Sequence, residues 1–466
     1  MSEPQHLIPP RCSAHAGGFG RWPAAFASRF FLALVVGFVW LGPAWWDWRF
    51  GAMVLVWDAV VLAIWWFDWS QLPRPAKVEI SRVWSEPVLL GVSSSVRLEV
   101  KTDSGVRIAG TVEDEVPQTL HRLPPKMNVE ATPGRPGIAT YDFQPRERGD
   151  ARWGRVFLAY HSPLRFAERR AVADVAQTVR VYPNFNEAKK LSLYLLRSRQ
   201  IEIEKRLQHR RERGREFESL REYRDGDEPR DICWTATARR AGGQSGAARL
   251  ITKVYRAERS QQVFLVMDAG RLMLARTGEL TKLDYAVTAA LSLAHVAMAG
   301  GDSVGMIAYG RKIQSQLNAA RGPAQLRAML EQLALVRGEL VEADHARAVE
   351  ALLSRQRRRS LVVWVTDLAE TAATPEVIEN AQRVASRHLV LFVAMGQPDL
   401  RELVARRPES PAEMYRYAAG VELVERREVL LRRLREQGAL ALEIQPGKLA
   451  VGIVNQYLQV KERSLL

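Results

Sequence analysis

QVFLVMD at Gln262–Asp268 and SLVVWVTD at 360–367 are the two runs that decide the fold. Each is a short apolar run ending in Asp, with none of the polar alternation of a half-buried strand. Runs of this kind are strands buried on both faces of a parallel sheet. Around them the pattern alternates. Residues 283–299, 324–335, 344–353 and 375–386 have helical periodicity, and DSVGMIAYG, KIQSQL, HLVLFVAM and ALEIQP have strand character. Strands separated by helices of this length predict a doubly wound α/β domain over 261–466. Ligands of such sheets bind at the carboxyl ends of the strands. Asp268 and Asp367 both fall there.

Gly301-Asp302-Ser303-Val304-Gly305 matches the G-x-S-x-G pattern of a nucleophile elbow. That elbow needs a strand before the serine and a helix after it. Here the order is reversed, so the pentapeptide reads as a helix C-cap and strand entry. The chain has no G-x-x-x-x-G-K-[ST] phosphate loop and no G-x-G-x-x-G. The basic run RQRRRS before Leu361 reads as a solvated helix end.

Upstream lies a dense connector, 184–260. Residues 187–210 have a helical leucine pattern, followed by HRRERGR and then, from Gly214, GREFESLREYRDGDEPRDICWTATARRAGGQSGAARLITK. Asp225-Gly226-Asp227 suits a turn, with Gly supplying positive φ. Arg221, Arg224, Arg230 and Arg239 have Glu222, Asp225, Asp227 and Asp231 as ion-pair partners. Phe217, Tyr223 and Trp234 are expected to be anchors that bury large area. The stretch is read as an ion-pair-laced strap docked on the α/β domain, with a partner-binding surface as the compatible alternative. Cys233 beside Trp234 lacks a His and Asn at an interpretable spacing, so no cysteine chemistry is assigned.

The spacing G-x-x-F-x-x-x-R-x-Y-x-x-G-D-x-x-R-x-I-x-W, carried by Gly214, Phe217, Arg221, Tyr223, Gly226, Asp227, Arg230, Ile232 and Trp234, with Ala238 and Arg239 following, resembles the bacterial family known as domain of unknown function 58. Cys233 departs from it, where Asp or Asn is more usual. The resemblance implies a von Willebrand factor A-type α/β domain and association with a MoxR-type AAA+ ATPase in chaperone-like assembly or cell-envelope maintenance. It also implies a metal motif, D-x-S-x-S, with a loop Thr and a later Asp. Asp268-Ala269-Gly270-Arg271-Leu272 keeps the first Asp and lacks both serines, Glu342-Ala343-Asp344 stands in the region of the Thr, and Asp367 fits the last position. Mg²⁺ requires near-octahedral oxygen coordination. Asp268, Asp344 and Asp367 are therefore the remnant of a degenerate site, expected to hold no cofactor. The Arg271 guanidinium is the candidate replacement for the cation.

Between Pro75 and Pro183 the period changes to two. KVEISRVW, SVRLEVKT, GVRIAGTVE, IATYDFQP, WGRVFLAYHS and QTVRVYP predict an Ig-like β-sandwich over 75–183. Pro124, Pro125, Pro133 and Pro136 mark a long loop in it. His121 and His161 stand alone and read as surface or strand-edge histidines.

The first seventy residues hold nine of the thirteen tryptophans. Two apolar runs, 30–46 and 50–67, are each about 27 Å long as helix, close to the roughly 30 Å of a hydrocarbon core. With only Asp47-Trp48-Arg49 between them, they predict a two-helix transmembrane hairpin over 24–70, flanked by Trp belts. Basic residues precede it (Arg11, Arg21, Arg29) and follow it (Arg74, Lys77, Arg82). Both ends, including the segment 1–23, are therefore expected in the cytoplasm of a bacterial inner membrane. Asp58 sits within the second run, where a carboxylate is costly. It reads as a packing contact to the other helix or to a partner in a homo-oligomer.

A net charge of +15 and a pI near 10.0 suit an anionic partner. Arg is nevertheless spread along the whole chain, and nucleic-acid binding is not expected. Two distant cysteines, Cys12 and Cys233, give no disulfide framework. The expectation is a membrane-anchored, non-enzymatic interaction scaffold whose partners are the bilayer and an AAA+ ATPase. A hydrolase using Ser303, or Asp268 with a metal, and a binder of anionic ligands through the basic surface are the alternatives.

Overall fold

A computed structural model describes residues 7–19, 24–45, 49–118, 120, 123–185, 216–223, 229, 232–241, 250–256, 261–368, 374–463 and 465. The chain divides into two compact units, 1–184 with 333–337, and 185–332 with 338–466.

In the first unit, period-two alternation produces two larger antiparallel sheets and a two-stranded one, Gly149–Trp153 with Gln177–Val181. Strands Cys12–His15, Val78–Trp84, Ser94–Thr102 and Gly137–Phe143 form one of the larger pair. The other runs Gly17–Gly18, Ala167–Ala173, Val156–His161, Ile108–Asp114, Lys126–Ala131, with Ala24–Phe26 also on Ala167–Ala173. Inward residues such as Ile80, Val96, Leu98, Ile108, Val112 and Leu158 are fully buried. The sheets are joined across the core by one polar network. Arg82, on the first sheet, gives hydrogen bonds of 3.2 and 2.5 Å to Asp114 on the second, and Tyr141 Oη donates to Asp114 at 2.7 Å. Carbonyls of Val175 and Gly154 accept from Arg82 Nη1 and Nη2. A buried ion pair is tolerable only when its lone pairs and protons are satisfied in this way.

Three sequence expectations change here. The proline-rich loop contains an edge strand, Lys126–Ala131, because the prolines flank it and leave its ladder donors intact. The segment before residue 24 contributes strands, so it is part of the β unit and not only a leader to the hairpin. The first apolar run is broken into helix Ser28–Gly37, a 3₁₀ turn Phe38–Trp40 and helix Leu41–Ala44. Among the described residues, one span, Gly51–Lys77, is long and apolar enough to cross a membrane. The arms pack through Trp57, whose indole donates to Ala33 O at 2.9 Å and lies against Gly37, where a Cβ would come within 2.5 Å of the ring. Asp58 is half-buried beside this contact. His161 lies in its strand 3.7 Å from Glu168. His121 lies outside the described residues.

In the second unit the expected α/β domain forms around a six-stranded sheet. In chain order its strands are Gln262–Asp268, Ser303–Tyr309, Ile313–Ala320, Leu361–Thr366, Leu389–Met395 and Leu440–Ile444. Their spatial order is third, second, first, fourth, fifth, sixth, and only the third runs antiparallel. The first and fourth strands, the runs that decided the fold, are adjacent at its centre. Helix Lys282–Ala299 starts with a full capping box, Thr281 and Asp284 bonding each other's backbone N–H.

The connector differs from a single strap. Strand Glu216–Glu222 pairs antiparallel with Ile251–Arg256, and helix Trp234–Ala241 lies between them in sequence. The helix is tied down by Cys233 N to Ile251 O at 2.7 Å and Ile251 N to Thr237 Oγ1 at 3.0 Å. The predicted helix 187–210 lies outside the described residues.

Candidate functional site

The carboxyl ends of the first and fourth strands bring Asp268, Thr366 and Asp367 together under the surface. Asp268 Oδ1 accepts from Gly270 N at 2.6 Å, and Oδ2 accepts from Thr366 Oγ1 at 2.6 Å. A Cβ at position 270 would stand 2.9 Å from Ala343 N, so this turn is closed to a side chain unless the facing loop moves. Burial pushes the Asp268 carboxyl up from the usual carboxylate range, and the charge of Asp367 adds to this. Charge on His345 and the bonds from Thr366 and Gly270 act in the opposite direction.

Asp367 is engaged on both oxygens by cations from elsewhere in the domain. Lys282 Nζ lies 2.6 Å from Oδ2, and Arg427 Nη1 and Nη2 lie 3.1 and 3.2 Å from Oδ1. Arg427 also donates to the carbonyls of Leu368 and Met395. All three side chains are buried. Sequence reasoning proposed Arg271 for this role. It is instead half-exposed, 3.6 Å from Glu342, because it sits on the turn after the strand and points to the rim. Lys282 and Arg427 were missed. A Lys at the start of an otherwise apolar helix, and an Arg within a charged one, carry no signal without the tertiary contact.

Asp344 caps helix His345–Arg355, accepting from Arg347 N at 2.8 Å, and pairs with the Arg347 side chain at 3.4 Å. Behind Asp268, Tyr309 Oη accepts from Trp364 Nε1 at 2.7 Å and shares a hydrogen bond of 2.9 Å with His345 Nδ1. Burial, then the charge of Asp268, pushes the Tyr309 phenol well up, so it keeps its proton. These residues do not fit a divalent cation. An ammonium and a guanidinium already compensate Asp367, Asp344 is committed to a helix end, and no group of three His, Cys, Asp or Glu suited to a metal occurs among the described residues.

Ser303 opens its strand after a helix, as its order in sequence implied. Its hydroxyl accepts from Arg321 Nε at 2.8 Å. A guanidinium cannot take a proton, so it is no general base. Cys233 Sγ lies 3.4 Å from Thr235 Oγ1, and that contact pulls the thiol down from its usual range.

The connector residues separate into three groups. Gly214, Gly226, Asp227 and Arg230 lie outside the described residues, and Phe217 is placed by its backbone in the first ribbon strand. Arg221 and Tyr223 are half-buried, with Tyr223 N bonded to Leu250 O at 2.8 Å. Arg239 and Ala238 are exposed. Trp234, expected as a buried anchor, is 66% exposed, and Leu220 on the ribbon is 45% exposed. Thr237 of the helix is buried against the ribbon, where its hydroxyl accepts from Ile251 N, and the indole at the helix's first position is left outward. A second apolar feature at the rim of the sheet, Leu340, is 84% exposed next to Val341 and the Arg271–Glu342 pair.

Several known proteins share parts of this chain. Uncharacterized protein Mb1516 of Mycobacterium bovis is 26% identical over 187 residues, 40% of this chain and 56% of that protein. The chain thus spans about half the length of the curated relatives it matches. Among solved structures, the conserved hypothetical protein BatB from Bacteroides thetaiotaomicron aligns at 16% identity and TM-score 0.30, over 44% of this chain and 99% of its own. Manganese-loaded TRAP protein of Plasmodium vivax aligns at 16% identity and TM-score 0.23, over 33% of this chain and 65% of its own. The mixed sheet is defined by its own strand order, with one antiparallel edge strand beside five parallel ones. The family described as "Protein of unknown function DUF58" matches residues 219–406, a range that runs from the ribbon through the fifth strand of the sheet and takes in Trp234, Asp268 and Asp367. The likeness to the DUF58 family is thus carried by residues 219–406.

Proposed function

We propose that this chain is a membrane-anchored, non-enzymatic protein-interaction module, and that its partner is a MoxR-type AAA+ ATPase acting in assembly or envelope maintenance. The observation that carries the reading is Trp234, an indole 66% exposed on a short helix inside the family-matched region. Exposed Trp is costly on a solitary surface and is enriched where a partner covers it. The engagement of Ser303 by Arg321 and of Asp367 by Lys282 and Arg427 favours contacts over hydrolysis. Any energy input comes from the partner, since the sequence has no nucleotide-binding loop.

The anchoring half rests on the apolar span Gly51–Lys77. Strand Ala24–Phe26, before the first arm, and strand Val78–Trp84, after the second, belong to the same β unit. That return to one unit supports a two-pass hairpin with both ends on one side, and the flanking basic residues, among them Arg29, Arg74 and Lys77, support the cytoplasmic face of a bacterial inner membrane as that side.

Crosslinking in intact membranes with ATP present, followed by solubilisation and affinity purification of the full chain, tests the pairing. Recovery of an AAA+ ATPase with the wild type and its loss with Trp234→Ala is the expected result. Recovery of no AAA+ ATPase, or equal recovery with both chains, contradicts it.

A further inference from the structure

The turn at 162–166, Ser-Pro-Leu-Arg-Phe, is clasped by both arms of the apolar hairpin. From the second arm, buried Asp68 accepts from Ser162 Oγ, from Leu164 N at 3.3 Å and from Phe166 N at 3.0 Å. From the first arm, Ala27 N donates to Phe166 O at 3.0 Å and Arg29 Nη1 to Leu164 O at 3.2 Å. The turn therefore sits at the level where the chain enters and leaves the apolar helices. The aromatic cluster of Phe26, Phe30, Trp65 and Trp69 lies at that level too, and Arg169 stacks 4.8 Å over Trp69. Such aromatics mark a bilayer interface.

What the clasp presents outward is Leu164, 48% exposed, and Arg165, exposed and held at φ +59°. A non-glycine residue in the left-handed region is strained and recurs at functional turns. Behind the tip a cleft of about 1000 Å³ is lined by Arg107, Asn128, Glu130, His161 and Arg165 among others. Its carboxylate is already matched, Glu130 by Arg107 at 2.6 Å. Nearby Glu168 is matched by Arg170 at 3.0 Å and faces His161. Among the described residues no carboxylate pairs with Arg165 or with Arg29, whose Nη1 meets the Leu164 carbonyl, so two guanidinium charges stand beside an exposed leucine.

From this arrangement we infer that the 162–166 turn is a lipid-binding site, in which Leu164 enters the headgroup boundary and Arg29 and Arg165 hold the phosphate of an anionic phospholipid. The inference rests on the membrane-anchored reading. An apolar tip with two guanidiniums fits an amphiphile at the bilayer edge, where each basic residue contributes about fivefold in preference for anionic lipid.

The test uses the full chain in nanodiscs, in a Cys12→Ser/Cys233→Ser background, with bimane on Leu164→Cys. Headgroup-spin-labelled phosphatidylglycerol is expected to quench it about fivefold or more above spin-labelled phosphatidylcholine, with parity after Arg29→Gln/Arg165→Gln. Inorganic phosphate at millimolar concentration leaves the quenching unchanged if the ligand is lipid, and its removal of the quenching overturns the assignment. Bimane on Leu62→Cys, quenched by acyl-chain labels, reports the anchor itself. Quenching at 62 with none at 164, or with no preference for phosphatidylglycerol, overturns the site and leaves the anchor standing. No quenching at 62 overturns both.

Discussion

Lys282 Nζ lies 2.6 Å from Asp367 Oδ2, and both side chains are almost wholly buried. A carboxylate at the end of a central strand would be an obvious cation ligand if it were free. Here the domain supplies the compensating charge itself, from helix Lys282–Ala299 on one side and from Arg427 on the other.

Removing either cation leaves one oxygen of the buried Asp367 carboxylate without its partner. Lys282→Met or Arg427→Met is expected to cost about 3–5 kcal/mol of stability, measured by denaturant unfolding of the detergent-solubilised chain. Adding Asp367→Asn to Lys282→Met should recover part of that loss. Strict additivity of the two changes would mean that the pair is not coupled.

Trp234→Ala is expected to leave stability within about 0.5 kcal/mol of wild type, as for most exposed substitutions. Partner affinity should fall by about 2 kcal/mol or more, the size of an interface hot spot. Equilibrium unfolding and titration with the purified partner separate the two. A large loss of stability would place the indole in the packing of the connector after all.

His388 supplies a pH dependence. Its ring is buried, and Nδ1 is 3.1 Å from Ser360 Oγ. Burial, then the charge of Arg387, pushes its pKa down. The unfolded chain therefore binds the proton first. Stability is fully present above about pH 6.5 and is lost as pH falls through the lower folded value. His388→Gln should flatten this acid limb in thermal unfolding between pH 7 and 5, taken as about the range a histidine spans. An unchanged slope would assign the acid sensitivity elsewhere.

Asp68→Ala removes the acceptor for three donors of the 162–166 turn. Unmet buried donors cost about 1–3 kcal/mol. Trypsin should then cleave after Arg165 in reconstituted vesicles faster than in wild type, read by mass spectrometry. Equal cleavage rates would show that the turn is held without Asp68.

The α/β sheet was legible because its strands announce themselves by composition. Leu361–Thr366 and Leu389–Met395 are unbroken apolar runs, and their helices are separated by clear turns. Strand Ala167–Ala173, AERRAVA, was not legible, since alanine and arginine give no β signal and its place depends on pairing with Val156–His161. The same limit hid the site. Asp268 and Asp367 could be placed at strand ends from periodicity, while the groups that decide their chemistry, Lys282, Thr366 and Arg427, converge only in three dimensions. Trp234 was placed correctly in sequence and assigned the wrong environment. Aromatic content gives the energy available from burial, and says nothing of whether the chain or a partner covers the ring.

The most direct test of a binding module whose Asp367 is compensated internally is thermal unfolding of the full chain in detergent, with and without Mg²⁺ or Mn²⁺ at millimolar concentration. A ligand that binds only the folded state raises Tm by mass action. The account predicts no shift for wild type with either ion. A clear upward shift that disappears in Asp268→Ala would contradict it.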